Sequence, residues 1–296
     1  MIFTHPLFKL HFSIFLFGFT GVLGKLINLS EGYLVWYRMG LTTLGYLIWL
    51  AYQKKLYFLS YRAIVRLTIG GLILVFHWLT FYACIKYSTV SVALVCFSTG
   101  PLFTAVLEPL LVTGKKISRL EILLSLLITL GAYLIYSFQA FYTLGITLGL
   151  ISALFNALYG IYNKSLLQNY EESTINFYEI GCGFAVLTLL LPLYTLYLHP
   201  SALSLFPSFS DGIYLLILSW LCTNFAYNLS MSALKQISPF HMMIALNLES
   251  IYGIVWAFYF FGEHKEINVG FIIGTLILFS SVFMLPLLKK LPLFRA

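Results

Sequence analysis

Residues 238–263 read SPFHMMIALNLESIYGIVWAFYFFGE, a run suited to lipid except for one carboxylate, Glu249, near its middle. About 20 apolar residues suffice to cross a bilayer as a helix. A charge at the bilayer centre costs about 3 kcal/mol or more. Glu249 is therefore expected to face a bundle interior or a watery cavity, and the run to be one helix among several. The composition extends this to the whole chain. Of its 296 residues 60% are hydrophobic, 18% aromatic and only 9% charged, with a mean hydropathy of +0.93, whereas soluble domains carry roughly a quarter charged residues. The chain reads as a polytopic membrane protein.

Charges and turn residues divide the sequence into ten apolar runs, at about 8–27, 33–52, 64–85, 89–112, 119–138, 145–166, 174–198, 212–234, 239–261 and 268–288. The first run follows Lys9 and has no small-residue cleavage site, so it is expected to stay as an uncleaved signal anchor. No intervening segment is long or polar enough for a soluble domain. Lys and Arg in short loops are retained on the cytoplasmic side. With the N-terminus inside, the inner ends and loops hold thirteen: Lys9, Lys54, Lys55, Arg62, Arg66, Lys115, Lys116, Arg119, Lys164, Lys235, Lys289, Lys290 and Arg295; the outer loops hold Lys25, Lys86 and Lys265. That asymmetry predicts both termini in the cytoplasm. It also accounts for the net charge of +7 as topological anchoring, without a contiguous nucleic-acid footprint. Cys84, Cys96, Cys182 and Cys222 lie in apolar runs without CxxC spacing, which points to small packed residues and excludes a disulfide framework or metal site. No cofactor motif is present.

The chain carries an internal repeat. A shift of 149 residues places Phe76, Ile85, Lys86, Leu102, Phe103 and Val106 over Phe225, Leu234, Lys235, Ile251, Tyr252 and Val255. At a slightly smaller offset Ser13, Gly21 and Lys25 meet Ser152, Gly160 and Lys164, and Tyr37 and Arg38 meet Tyr178 and Glu179. The boundary divides the chain into 1–140 and 141–296. Five runs per half is an odd number, so the second half enters the membrane inverted, an arrangement in which transporters place their site between the halves near the midplane.

Two stretches carry a family resemblance: LNLESIYGIVWAFYFFGEHKEINVGFIIGTLIL in the second half and FSTGPLFTAVLEPLLVTGKKISRLEILLSLLITLGAYLI in the first. An apolar run with proline or a carboxylate, a Gly-Glu at its end and a glycine-bearing last span resembles EamA-type members of the drug/metabolite transporter superfamily. Two positions depart from the pattern. Ser250 stands where the family often has proline, which bears on whether the ninth helix is kinked, and Lys115 stands where the first half often has glutamate. The resemblance implies ten helices around a central cavity, with the fifth and tenth at the periphery. It also implies alternating access to small organic solutes such as amino acids or related metabolites, often outward.

Glu249, halfway along its run, is the first candidate for that cavity, where it is expected to exchange a proton or accept a substrate amine. Arg38 and Glu179 align across the repeat, but inversion places them near opposite faces, too far apart for a salt bridge at about 1.5 Å rise per residue. They are read as gate, rim or coupling groups, with snorkelling of Arg38 to the outer headgroups as the alternative. Glu108 reads as a solvated or Lys-paired helix-end residue. Asn224 and Asn228, one turn apart, and Asn247 beside Glu249 are the favoured amides, ahead of Asn156 and Asn163. Trp78, Tyr82, Tyr227 and Trp256 are candidates for clamping the apolar part of a solute, the first three favoured, against core packing as the commoner use of any one aromatic. His77 and His241 lack a second ligand at helical spacing, so no metal site is expected.

Two other function classes fit an apolar polytopic chain: an intramembrane enzyme acting on a lipid or isoprenoid, and a non-transporting receptor on the same fold. The enzyme needs an acid-base pair or a metal motif. The chain has no HExxH, and its single aspartate, Asp211, is expected in a loop. With no ATP-binding motif, any coupling is to a gradient, protons included. The expected setting is the inner membrane; oligomeric state is not indicated.

Overall fold

The computed structural model describes residues 6–136, 142–197, 206–263 and 269–288. Lys265, Lys289, Lys290 and Arg295, and the first part of the loop HPSALSLFPSFSD, fall outside the described residues.

Over the described residues each predicted run is helical, the fourth with a break. They form α1 (Pro6–Leu26), α2 (Glu31–Tyr52), α3 (Tyr61–Tyr87), α4 (Val90–Phe97), α5 (Gly100–Leu111), α6 (Arg119–Tyr136), α7 (Thr143–Leu166), α8 (Glu172–Tyr197), α9 (Phe209–Leu216), a π-helical segment (Ile217–Phe225), α10 (Ala226–Leu234), α11 (Pro239–Phe261) and α12 (Val269–Leu288). Among the described residues seven helical stretches are long and apolar enough to cross a membrane: Pro6–Leu26, Tyr61–Tyr87, Val90–Leu111, Thr143–Leu166, Glu172–Leu196, Phe209–Leu234 and Pro239–Phe261.

The breaks carry their own stop and start chemistry. Thr89 Oγ1 accepts from Val92 N at 3.1 Å to open α4, and Ser238 Oγ accepts from His241 N at 3.3 Å to open α11, with Pro239 in its first turn. Such caps satisfy amides that have no partner within the helix. Asp211, expected in a loop, instead lies in the first turn of α9, where it and Ser208 cap each other's backbone amides. The Ser-x-x-Asp spacing makes this possible. Gly262 closes α11 with φ of +67°, and Gly114 has φ of +84° in the turn after α5.

The fourth run is the discontinuous one. Pro101 has no N–H and its ring clashes with the carbonyl four residues back, so the chain breaks at Ser98 and Thr99 between α4 and α5. α11, where Ser250 replaces the family's proline, runs unbroken through that position. The serine has its own use there. Ser250 Oγ donates to Leu94 O at 2.9 Å and accepts from Ser98 Oγ at 2.9 Å, tying α11 to the end of α4. Ser250→Ala should lower stability by about 1 kcal/mol, the usual worth of an interhelical bond in a bundle, read as a lowered unfolding midpoint in detergent. An unchanged midpoint would show that the node adds nothing.

Helices of the first half pack mainly on helices of the second. α1 lies on α10 and α11, α2 on α8 and the π-helical segment, α3 on α7 and α8, and α4 and α5 on α7 and α11; α6 and α12 pair with each other at the edge. At the end of the bundle where α1 stops, one carboxylate joins three helices. Glu263, just past α11, pairs with Lys25 of α1 at 2.9 Å and accepts from Ser91 N and Oγ of α4 at 3.1 and 2.6 Å. At the opposite end Lys164 of α7 donates to the carbonyls of Leu234, Lys235 and Ile237, and Lys235 pairs with Glu172 at 2.8 Å. Glu108 is buried and paired with Lys115 at 3.6 Å, which realises the Lys-paired alternative over the solvated one.

Candidate substrate cavity

A cavity of about 60 Å³ lies where α1, α2, α3, α7, α10 and α11 meet. Arg38 and Glu249 both line it, together with Trp78, Tyr159 and Tyr227. Arg38 is 2% exposed. Its guanidinium lies 3.8 Å from the centre of the Trp78 ring. Nη1 donates to Tyr82 Oη at 2.8 Å, while Nε and Nη2 donate to Thr223 Oγ1 at 3.0 and 2.9 Å. Burial at this depth rules out the snorkelling expected as one alternative for Arg38. Seven residues into α2 the side chain turns inward, because Trp78 offers a face and two hydroxyls offer acceptors.

A guanidinium has five N–H donors, and these three contacts leave one on each terminal nitrogen. None of the ion pairs among the described residues involves Arg38. The remaining fork is the geometry that takes a carboxylate in two parallel bonds. Glu249 is 6% exposed and makes no ion pair among the described residues, yet the Arg38 charge acts on it through space. The cavity thus holds one cation and one anion from different helices, each without a partner of opposite charge in contact. The space beside them is apolar and aromatic. Trp78 Nε1 donates to Tyr227 Oη at 3.2 Å, their rings cross edge to face at 5.8 Å, and Phe17 packs on Tyr227 at 5.3 Å. Asn156 spans to Met243, its Nδ2 lying 3.5 Å from Sδ.

The EamA-like transporter family model matches residues 7–137 and again 143–287. The chain belongs to the EamA-like transporter family. As a member, it is a multi-pass membrane protein of a transporter fold. A solved structure described only as the crystal structure of a protein superposes with a TM-score of 0.72 at 12% identity, over 96% of this chain and 97% of its own. That likeness speaks for the fold alone. No curated protein matches the sequence.

The other predicted site residues of this EamA-like chain are distributed around the cavity or away from it. Tyr82 is fully buried and touches Arg38 from behind. Asn247, 1% exposed, is absent from the cavity lining, and its Nδ2 has no partner. Asn224 and Asn228 share a face, as their spacing predicts, but it lines a second cavity of about 290 Å³ with Gly45, Tyr46, Trp49 and Trp220. Asn224 Nδ2 donates there to Thr42 O at 3.1 Å. Trp256 stacks on Phe19 at 4.8 Å. Glu179 is fully buried in α8, where Asn163 Nδ2 lies 3.3 Å from its Oε2. It does not meet Arg38.

Sequence reasoning missed Thr223, Tyr159 and Met243. Thr223 belongs to the π-helical segment, and its hydroxyl donates to Leu218 O five residues back at 2.7 Å, leaving its lone pairs for Arg38. Such segments recur at functional sites, but the sequence LSWLCTNF carries no signal for one. His77 Nδ1 is held by Ser152 at 2.9 Å to Oγ and 3.0 Å to O, and His241 Nδ1 by Ser238 Oγ at 2.6 Å. Among the described residues no group of three or more metal-ligating side chains converges.

Proposed function

We propose that this protein moves a small zwitterionic solute of amino-acid type across the inner membrane by alternating access. The observation that carries the reading is the unpaired fork of Arg38 facing the same cavity as the Glu249 carboxylate. A buried charge without a partner is costly. A solute whose carboxylate meets Arg38, whose ammonium meets Glu249 and whose apolar group lies on Trp78 and Tyr227 supplies what each side chain lacks. Asn224, Asn228 and Asn247 then act outside direct solute contact.

The architecture proposed with it is ten membrane-spanning helices in two inverted halves, 1–140 and 141–296, with both termini cytoplasmic. Helix pairing supports the repeat. α3 on α7 has its counterpart in α10 on α1, α3 on α8 in the π-helical segment on α2, and α1 on α11 in α7 on α4 and α5. The charge asymmetry supports the orientation, under which the end holding Lys25 and Glu263 is outer. Export is the proposed direction, from the family resemblance. A receptor or enzyme role has no feature of the cavity in its favour.

The test is flux into proteoliposomes, using a panel of labelled apolar and aromatic amino acids, each with its amide and its deaminated acid as competitors. At least one amino acid should be carried, and neither analogue should compete well. Absence of flux for the whole panel, or equal competition by the amide and the acid, overturns the reading. Glu249→Gln keeps shape but removes the charge. It should weaken the carried zwitterion about 10- to 100-fold, from the roughly 1.5–3 kcal/mol of a charged hydrogen bond, and leave the deaminated acid nearly unaffected. Unchanged affinity for the zwitterion would make Glu249 structural.

A further inference from the structure

We propose that Glu179 is a proton-binding site separate from the solute cavity, with Tyr159 connecting the two; its part in transport, though not the binding itself, rests on the transporter reading above. Glu179 and Glu249 are both buried carboxylates, but their surroundings differ. Glu249 lines a cavity with the Arg38 charge acting on it. Glu179 is 0% exposed, enters none of the ion pairs among the described residues, and receives one long bond, 3.3 Å from Asn163 Nδ2 to Oε2. Among the described residues its Oε1 has no hydrogen-bond partner, and neither has Asn163 Oδ1.

The occupant must be small. α3 presents Gly70 and Gly71 to this side chain: a Cβ on Gly70 would overlap Oε1, and one on Gly71 would overlap the Glu179 backbone oxygen. A carboxylate without a cation is costly to keep in such a place. A proton needs no volume. Each neighbouring element leaves that need unmet. α7 brings the hydroxyls of Tyr159 and Tyr162 and the Asn163 amide. Tyr46 of α2 and Tyr227 of α10 act on Tyr159, and Arg66 of α3 acts on Tyr162. Among the described residues the groups that act on Glu179 are thus hydroxyls and an amide, and the cation Arg66 acts on a tyrosine.

Tyr159 supplies the route. Its ring lines the solute cavity, its side chain lies next to Glu179, and its hydroxyl is unpartnered by hydrogen-bond geometry. In loading, an O–H bond forms on Glu179 as one breaks on hydronium in the cavity. Tyr159 accepts that proton and passes on its own, and water is left behind; unloading is the reverse.

The test needs no solute. Infrared difference spectra of the purified full-length chain in deuterated detergent buffer, titrated with pH in choline chloride and again in sodium chloride, read the carbonyl band of a protonated carboxyl. The wild type should show a band that disappears as pH rises, equally in both salts. Glu179→Gln should lose it and Glu249→Gln should keep it. Should the glutamine form not fold, Glu179→Asp should displace the band. A band that persists in Glu179→Gln or is unmoved by Glu179→Asp, a wild type without the band, or loss of the band on adding sodium at fixed pH overturns the proposal. The proteoliposome assay stands apart, so failure of the transport reading is distinguishable from failure here.

Discussion

Replacing Arg38 by Gln is expected to abolish solute binding: at least about 100-fold weaker for any carried amino acid, since two charged hydrogen bonds at roughly 1.5–3 kcal/mol each are lost together. Arg38→Lys should fail nearly as badly. It keeps the charge, but an ammonium cannot hold Thr223 and Tyr82, stack on Trp78 and still offer a two-pronged fork. The amide of the same amino acid, which has no carboxylate to lose, should bind about equally to wild type and both variants. Equilibrium binding to the detergent-purified protein measures all three. If lysine restored full affinity, Arg38 would act as a general positive potential and the fork geometry would be irrelevant.

The second large effect concerns packing. Gly71→Ala is expected to cost about 3 kcal/mol or more, the upper part of the range for forcing extra atoms into a packed core, and to leave little folded protein. At Gly71 the obstruction is backbone. Beyond the overlap with the Glu179 oxygen, the new Cβ would lie 3.0 Å from the Glu179 carbonyl carbon and 3.2 Å from Gly183 N. No rotamer change relieves that, so α3 and α8 would have to separate. Gly212→Ala is the control, because nothing lies within 4 Å of its added Cβ, and it should stay within about 0.5 kcal/mol of wild type. Unfolding midpoints of the two variants decide the matter; equal midpoints would remove close helix approach as the reason for the glycine.

Several helix limits were legible because the break carries a proline, a glycine or a capping hydroxyl, as at Thr89, Ser238 with Pro239, and Gly262. Glu249 was legible as a cavity residue because a carboxylate deep in an apolar run has few other places to go. Arg38 was read one step short. Rise per residue gives depth along a helix but not azimuth, and seven residues into α2 a long side chain can turn outward to headgroups or inward to Trp78. Asn224 and Asn228 show the complementary difficulty. Spacing gives a shared face, yet which neighbour that face meets depends on tertiary packing. Thr223 was out of reach because a π-helical turn leaves no mark in composition.

The ties between the two halves also bear on how the chain is made. A protein emerges N-terminus first, so α2 is complete long before the π-helical segment exists. Until then Arg38 has Tyr82 and Trp78 but not Thr223, and Lys25 lacks Glu263, 238 positions further on. The first half must therefore carry two unsatisfied cations through insertion. Thr223 and Glu263, both made in the second half, come back to meet them. Assembly is thus governed by contacts of high sequence separation, the slow kind, and a chain truncated before the π-helical segment would retain its first helices but neither the Arg38–Thr223 bonds nor the Lys25–Glu263 pair.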